Sequence, residues 1–531
     1  MKPVIAISCP IDTFSGYGAR SRDVVKAIIN SEKYEVKILS QRWGGTPFGF
    51  LNADIPDHKK IIDCIQPSNN KLEGVPDVWI QITVPNEFQK LGTFNIGITA
   101  GIETDLCSTP WIEGCNRMDL VLTSCNHAKN VFQNSKYEQR KKDNPEEIVS
   151  IIQTTVPMEV LFEGVDTNIY KKETGIDENL DYVLQGIPED FNFLVVGHWL
   201  QGNFGEDRKN MGGTIKTFLE TFKNRKIKPG LLLKVNGGTY SIMDRDSMLA
   251  KIEEIKSMVE GELPNIYLLH GELTDSEMNS LYNHPKVKAM FSLTKGEGYG
   301  RPLIEFTQSQ KPIIVSGWSG HTDFLNKEFS LFVGGELKPI DKSAVQENML
   351  IAESKWFTPS YDEASLGLKA IYTDYDEYLE KAKRQSYICR TEFSLEKMAT
   401  KLLDMLDAKI PKPVEFKLPQ LKKIELEKKN TELEIEIGKK LVRTKKGGID
   451  NRSMKERSPA QIAHSKKLVE LNRIRREKRK TENKDNLDKS IDESVKKSMV
   501  KIITAPKEMI KKVIPEWKPP PPPKKTNKQI Y

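Results

Sequence analysis

The chain has 531 residues, 38% hydrophobic and 29% charged, which exceeds what one hydrophobic core organises, so two domains and additional material are expected. The net charge of +7 is unevenly spread: residues 411–531 hold 34 basic against 17 acidic side chains, whereas residues 1–410 hold 47 against 57. A mildly acidic body thus carries a basic tail, and no apolar run approaches the length of a membrane-spanning helix.

The opening MKPVIAISCP has one Lys and an apolar stretch that Pro10 cuts short, unlike a signal peptide, so a cytoplasmic protein, at most peripheral at a membrane, is expected. Six scattered cysteines (Cys9, Cys64, Cys107, Cys115, Cys125, Cys389) form no C-x-x-C pair and match no His spacing. This pattern suits free thiols and disfavours structural zinc or a disulfide framework.

In chain order, PVIAIS reads as a strand, FSGYGARS as a turn and DVVKAIINS as a helix, followed by strand-length runs at YEVKILS, DVWIQITV, FNIGITA and MDLVLTS. After a linker around 168–190 the pattern restarts: FNFLVVG, a helix over 214–222, LLLKVNG, a helix over 248–259, NIYLLHG, a short helix, VKAMFSL, another helix and PIIVSG. Thr274 and Glu277 form a capping box that sets the start of the short helix. Repeated strand, connection and strand units predict parallel sheets covered on both faces, in domains spanning 1–170 and 190–408. The amphipathic SLEKMATKLLDMLDA closes the folded part. In the tail, 409–531, residues 419–447 and 460–481 are charged helical candidates too poor in apolar positions to build a core, and the chain ends in the polyproline run PEWKPPPPPKK. Such a tail is either solvated and partly disordered or an anchor for nucleic acid, an anionic membrane or a partner protein.

The segment TKGEGYGRPLIEFTQSQKPIIVSGWSGHTDFL, after a predicted strand, concentrates the chemistry. Glu297 stands in a loop freed by Gly298 and Gly300, and Pro302 suits the first turn of a helix that carries Glu305. Glycines beside a helix N-terminus favour close approach of a phosphate, as in a nucleotide diphosphate. Asp244 and Asp246 precede a predicted helix; Asp there caps the helix, so the Asp-x-Asp is not read as a metal site.

This segment resembles the Glu-x7-Glu signature of the retaining family-four ("group 1") glycosyltransferases. VVGHWLQGNFGEDRKNMGGTIKTFLETF, LHGELTDSEMNSLY, EGVDTNIY and GITAGIETDLCSTPWIEGCNRMDLVLTS resemble other parts of that family, so the likeness covers roughly residues 1–408 and leaves the tail out. The resemblance implies an α/β fold of two Rossmann-like domains facing a central cleft, the GT-B architecture. It further implies that Glu305 binds the donor ribose, that Glu297 binds the transferred sugar, and that Arg208 and Lys209 hold the diphosphate. Gly16, Gly18, Gly298, Tyr299 and Gly300 would line the donor. His198 stands where many members carry Arg, which leaves open whether His198 or Arg208 is the second diphosphate ligand. No first-domain His matches the acceptor-side His of many members, since His127 falls beyond the relevant strand; Glu103 is the nearest polar candidate. The implied reaction moves a sugar from a nucleotide-sugar donor to a glycan, lipid-linked or other hydroxyl acceptor with retention, without a metal or other cofactor. Two competing readings stand beside it: a nucleic-acid-associated protein using the tail, for base glycosylation or non-catalytic binding, and a two-domain sugar-nucleotide epimerase.

Overall fold

A computed structural model describes residues 2–411, except 68–71, 73, 142 and 200, together with 458–460 and 463–474. The first part opens with β1 (Val4–Cys9), α1 (Gly16–Asn30), β2 (Glu35–Ser40) and α2 (Pro56–Ile62). It continues through β3 (Val78–Ile82), β4 (Phe94–Thr99), α3 (Thr109–Asn116), β5 (Leu120–Thr123) and α4 (Asn126–Asn134). A hairpin of β6 (Lys136–Lys141) and β7 (Asn144–Gln153) then leads to β8 (Met158–Val160). The sheet order is β2-β1-β3-β4-β5-β8, every pair parallel. Its central strands are apolar runs such as VWIQI and LVLT, buried throughout, as a sheet covered on both faces requires.

After α5 (Glu178–Gln185) the second part follows with β9 (Asn192–His198), α6 (Met211–Phe222), β10 (Gly230–Asn236), α7 (Ile242–Ser257), β11 (Ile266–Leu268) and α8 (Asp275–Asn283). Then come β12 (Val287–Ser292), α9 (Arg301–Thr307), β13 (Ile313–Ser316) and β14 (Leu331–Val333). A second hairpin, β15 (Gly335–Pro339) and β16 (Lys355–Pro359), precedes α10 (Tyr361–Thr373), α11 (Tyr375–Glu392) and α12 (Leu395–Lys409). The second sheet runs β11-β10-β9-β12-β13-β14, also parallel. In each sheet the order reverses beside the first strand, and in open α/β sheets ligands bind outside the carboxyl ends of strands at that reversal.

One apolar core joins the two sheets, including Ile5 and Ile7 from β1 and Leu194, Met290 and Val315 from the second sheet. Separate clusters cover their outer faces. Helix α12 returns to pack on α1, with Lys33 and Asp407 paired at 2.5 Å.

Several elements differ from the sequence-based expectations. Helix α1 begins at Gly16, so the glycine turn is its first turn; Ser15 Oγ accepts from the Gly18 amide as its cap. Helix α7 begins at Ile242, six residues early, because Ser241 caps it while Ile242 and Met243 lie exposed and break the apolar period. The cap is therefore Ser241 and not Asp244, which sits in the first turn, accepting from the Gly237 amide and contacting His270 Nε2 at 2.9 Å. The linker contains α5, and both hairpins lie in stretches without strong strand alternation. The capping box of Thr274 and Glu277 is present.

No helix among the described residues is long and apolar enough to cross a membrane. Residues 413–526 form a separate unit; within it 463–474 are helical and mostly exposed, while the helical candidate at 419–447 lies outside the described residues.

Candidate functional site

The carboxyl ends of β9 and β12 present two loops. In the first, 199–210, Asp207 Oδ1 accepts from the Met211 amide at the start of α6, and Asn210, left-handed at φ 51°, donates its side-chain Nδ2 to Leu293 O at 3.0 Å. The Lys295 amide donates to Arg208 O at 2.8 Å. These bonds tie the first loop to the second, 293–300, and so deliver Arg208 and Lys209 beside Glu297. Lys209 Nζ lies 2.5 Å from Glu297 Oε1, and Arg208 Nη1 lies 3.6 Å from Glu297 Oε2 and 2.9 Å from Gly296 O.

Glu297 is fixed from its other side by an element absent from the sequence reading. Ser319, left-handed at φ 79°, accepts the Glu297 amide on Oγ at 2.8 Å, and the Gly320 amide returns to Glu297 O at 2.9 Å. A side chain at Gly320 would come within 2.5 Å of Gly298 O, so the approach needs glycine. His321 is fully buried next to this turn, Nε2 donating to Ser316 O at 2.6 Å with Nδ1 unpartnered.

The first sheet closes the other wall. A Cβ on Gly296 would collide with Glu103 O, and one on Gly298 would meet Ala100 O at 2.9 Å. Ser124 Oγ and Cys125 Sγ donate to Gly298 O at 2.7 and 3.0 Å. Glu103 thereby places Oε1 3.4 Å from Arg208 Nη1, bringing this first-sheet residue into the same charge cluster.

Electrostatics follow from this crowding. Burial alone would raise Glu297, but Lys209 and Arg208 overcome it and draw the carboxyl down to about 2. Burial lowers Lys209, partly opposed by Glu297, whereas Arg208 ends above its ordinary value because Glu103 and Glu297 outweigh its desolvation. The ring of His198 is open to solvent, yet the protein around it disfavours the charged form, and Lys209, Arg208 and Lys234 add to this against the bond to Asn236. Its Nδ1 lies 2.5 Å from Asn236 Oδ1, which also accepts the Gly238 amide, so Nδ1 carries the proton and Nε2 is left as an acceptor. A neutral imidazole of that tautomer supplies no positive charge.

No protein-family model and no curated protein matches the sequence. Among solved structures, a sucrose-phosphate synthase from Thermosynechococcus elongatus is similar at 10% identity and a TM-score of 0.51, over 77% of this chain and 99% of that one. A glycosyltransferase from Rickettsia africae ESF-5 is similar at 12% identity and a TM-score of 0.50, over 78% of this chain and 100% of that one. The chain has the GT-B fold.

Within the GT-B frame the remaining sequence-derived residues are less uniformly placed. Glu305 is buried on α9, one turn after Arg301, whose Nε donates to Glu305 Oε1 at 3.0 Å. Burial pushes Glu305 up to about 8, with Arg301 opposing and Asp275 adding to the rise. The Tyr299 side chain points into the core against Phe324, ring centroids 4.9 Å apart, so only its backbone faces the loop. Gly300 is left-handed at φ 97° and starts α9. Gly16 has open space where a side chain would stand, whereas Gly18 packs against Thr13 and serves the turn after β1. His127 lies on α4, packs edge-on against Trp318 at 4.5 Å, and is lowered by burial to about 4. Asp246 pairs with Arg245 on the surface. Among the described residues no group of three or more His, Cys, Asp or Glu has metal-holding geometry.

The sequence reading missed Ser319, His321, Arg301 and Asp23. Arg301, Ser319 and His321 all stand inside the Thr294–Leu325 segment, where the charge of Arg301 and the polar side chains of Ser319 and His321 are the available signal; Asp23 carries none, since its partner is 278 residues away.

Proposed function

We propose that the protein is a glycosyltransferase that moves a sugar from a nucleotide-diphosphate donor to an acceptor hydroxyl with retention of configuration. The observation that carries this reading is the Lys209, Arg208, Glu297 and Glu103 cluster at the strand-order reversal of the second sheet, walled by the first. As the nucleoside diphosphate departs, negative charge grows on its terminal phosphate. Lys209 and Arg208 are already fixed by backbone and carboxylate partners, so they stabilise that charge with little reorganisation. Glu297, held ionised, accepts hydrogen bonds from hydroxyls of the transferred sugar, and Glu305 accepts those of the ribose diol. Glu103 lies on the acceptor side. The acceptor oxygen attacks from the face the phosphate leaves, and the leaving phosphate oxygen takes its proton, so no protein nucleophile is needed. With two cations at the diphosphate, no metal ion is needed either; Asp244 is engaged by Gly237 and His270 and Asp246 by Arg245. The acceptor is a glycan, lipid-linked or other hydroxyl compound.

The test is a thermal-shift series with UDP, GDP, ADP and TDP and their sugars. A cognate ligand at 100 times its Kd stabilises the fold by about 2.7 kcal/mol. The shift and the transfer are expected to survive EDTA; loss on chelation, restored by manganese or magnesium, defeats the metal-free part of the reading. The net charge of +17 on residues 411–531 favours a second reading, in which the tail brings the enzyme to nucleic acid or another anionic surface.

A further inference from the structure

We propose that Arg301 is a positioning residue that ties the grip on the donor at Glu305 to the first half of the molecule through Asp23. The inference rests on the reading of Glu305 as the ribose ligand. Arg301 opens α9 and divides its guanidinium between two carboxylates: Nε donates to Glu305 Oε1 at 3.0 Å, and Nη1 donates to Asp23 Oδ2 at 2.7 Å. Asp23 belongs to α1, the helix whose first turn carries Gly16 and Gly18, and its side chain is only 6% exposed.

The guanidinium is planar and presents its donors in a fixed fork, so both carboxylates are satisfied together only when α1 and α9 hold one register. The neighbourhood makes that register matter. Glu305 shares its surroundings with Asp275 from α8 and with Tyr170 and Tyr282, and Arg301, bonded to Oε1 at 3.0 Å, is the cation that favours its ionised form there. On the α1 side, Asp23 and the buried Glu163 act on Arg301, with Arg20 donating to Phe162 O at 2.8 Å beside them. The exposed pair of Lys33 with Asp407 joins the chain just after α1 to α12 without touching the signature. Arg301 joins α1 to the signature helix with one side chain. If α1 shifts, the fork turns and the Glu305 carboxyl loses its orientation; by reciprocity, a nucleotide that fixes Glu305 favours this register of α1.

The experiment uses the full chain and, as probe, whichever of UDP, GDP, ADP or TDP stabilises it most, with Kd by calorimetry and Tm recorded for each variant. Asp23→Asn removes a charge that lies on the opposite half from Glu305, yet nucleotide affinity is expected to fall on the order of tenfold, the usual scale for losing a charged hydrogen bond. Arg301→Gln is expected to fall at least as far, Arg301→Lys to give no rescue, and the double variant D23N/R301Q to be no weaker than R301Q alone. Unchanged affinity in D23N, or losses that multiply in the double variant, overturns the coupling. If D23N does not fold, Asp23→Glu, which keeps the charge and moves it by one methylene, is judged by the same two readings. Glu305→Gln separates the claims: if it leaves Kd unchanged, or if none of the four nucleotides binds, the donor reading itself fails; if it weakens binding while D23N does not, only the coupling fails.

Discussion

The two walls of the charge cluster are held in place by unlike means. On the second-sheet wall, the loops of that sheet hold one another: the 199–210 and 293–300 loops are stitched together, Asp207 anchors the start of α6, and the Ser319 and Gly320 turn clamps Glu297. On the first-sheet wall, Glu103 reaches the cluster only because glycines let the signature loop press against Ala100–Glu103, and Asp23 reaches Arg301 only because α1 lies beside α9. One wall is preorganised by bonds among loops of the same sheet, and the other by registration of elements from the two sheets. Damage to the first should act on turnover at intact stability, and damage to the second on both.

The largest expected effect is on the preorganised wall. Lys209→Ala removes the cation 2.5 Å from Glu297, and kcat should fall on the order of 10²-fold, as for loss of one oxyanion donor. The fold should remain intact by circular dichroism. Arg208→Ala should also slow transfer, whereas His198→Ala, which removes a neutral ring, should act less; the reverse order in steady-state kinetics would return the cationic role to His198.

Next come the glycines, which contrast the two walls directly. Gly296→Ala drives a methyl group into Glu103 O and should cost about 1–3 kcal/mol in chemical denaturation together with most of the activity. Gly16→Ala meets open space at the start of α1 and should change stability by less than about 0.5 kcal/mol, so any loss of transfer it causes reports crowding of the donor. Equal destabilisation by both would show that the close approach of the loop to Glu103 is not under load.

A smaller effect is the pH dependence carried by Glu305. Its folded value of about 8 lies above the ordinary carboxyl value of 4.5, so the folded chain retains a proton that the unfolded chain releases. The associated stability is complete below about 4.5 and is lost progressively as pH rises toward 8. Urea titrations from pH 5 to 9 should show wild type losing stability relative to Glu305→Gln over that window, while nucleotide affinity rises as the acceptor carboxylate ionises. Parallel curves for the two proteins would place the titration elsewhere. The smallest effect is expected from the tail: residues 1–410 alone should transfer to a small acceptor at an undiminished rate, and a loss that depends steeply on salt would favour the nucleic-acid reading.

Much of the second half was legible in sequence because its signals are local. The alternation of apolar runs with helical stretches, the Thr274 and Glu277 capping box, and the spacing of Glu297, the glycines, Pro302 and Glu305 depend on residues within a turn or two of each other. The start of α1 is not legible because glycines signal a turn until the Ser15 cap is seen to accept the Gly18 amide, and the start of α7 is not because exposed Ile242 and Met243 imitate no buried face. Only the tertiary structure decided that Asp244 serves His270 and not a cap, that Tyr299 turns inward, that His198 is neutral beside two cations, and that Glu103 faces Arg208. The physical reason is distance along the chain. Composition and periodicity determine which stretches become strands and helices and which loops are rich in glycine and charge, whereas an ion pair such as Asp23 with Arg301 or Glu103 with Arg208 exists only after two sheets have shared a core.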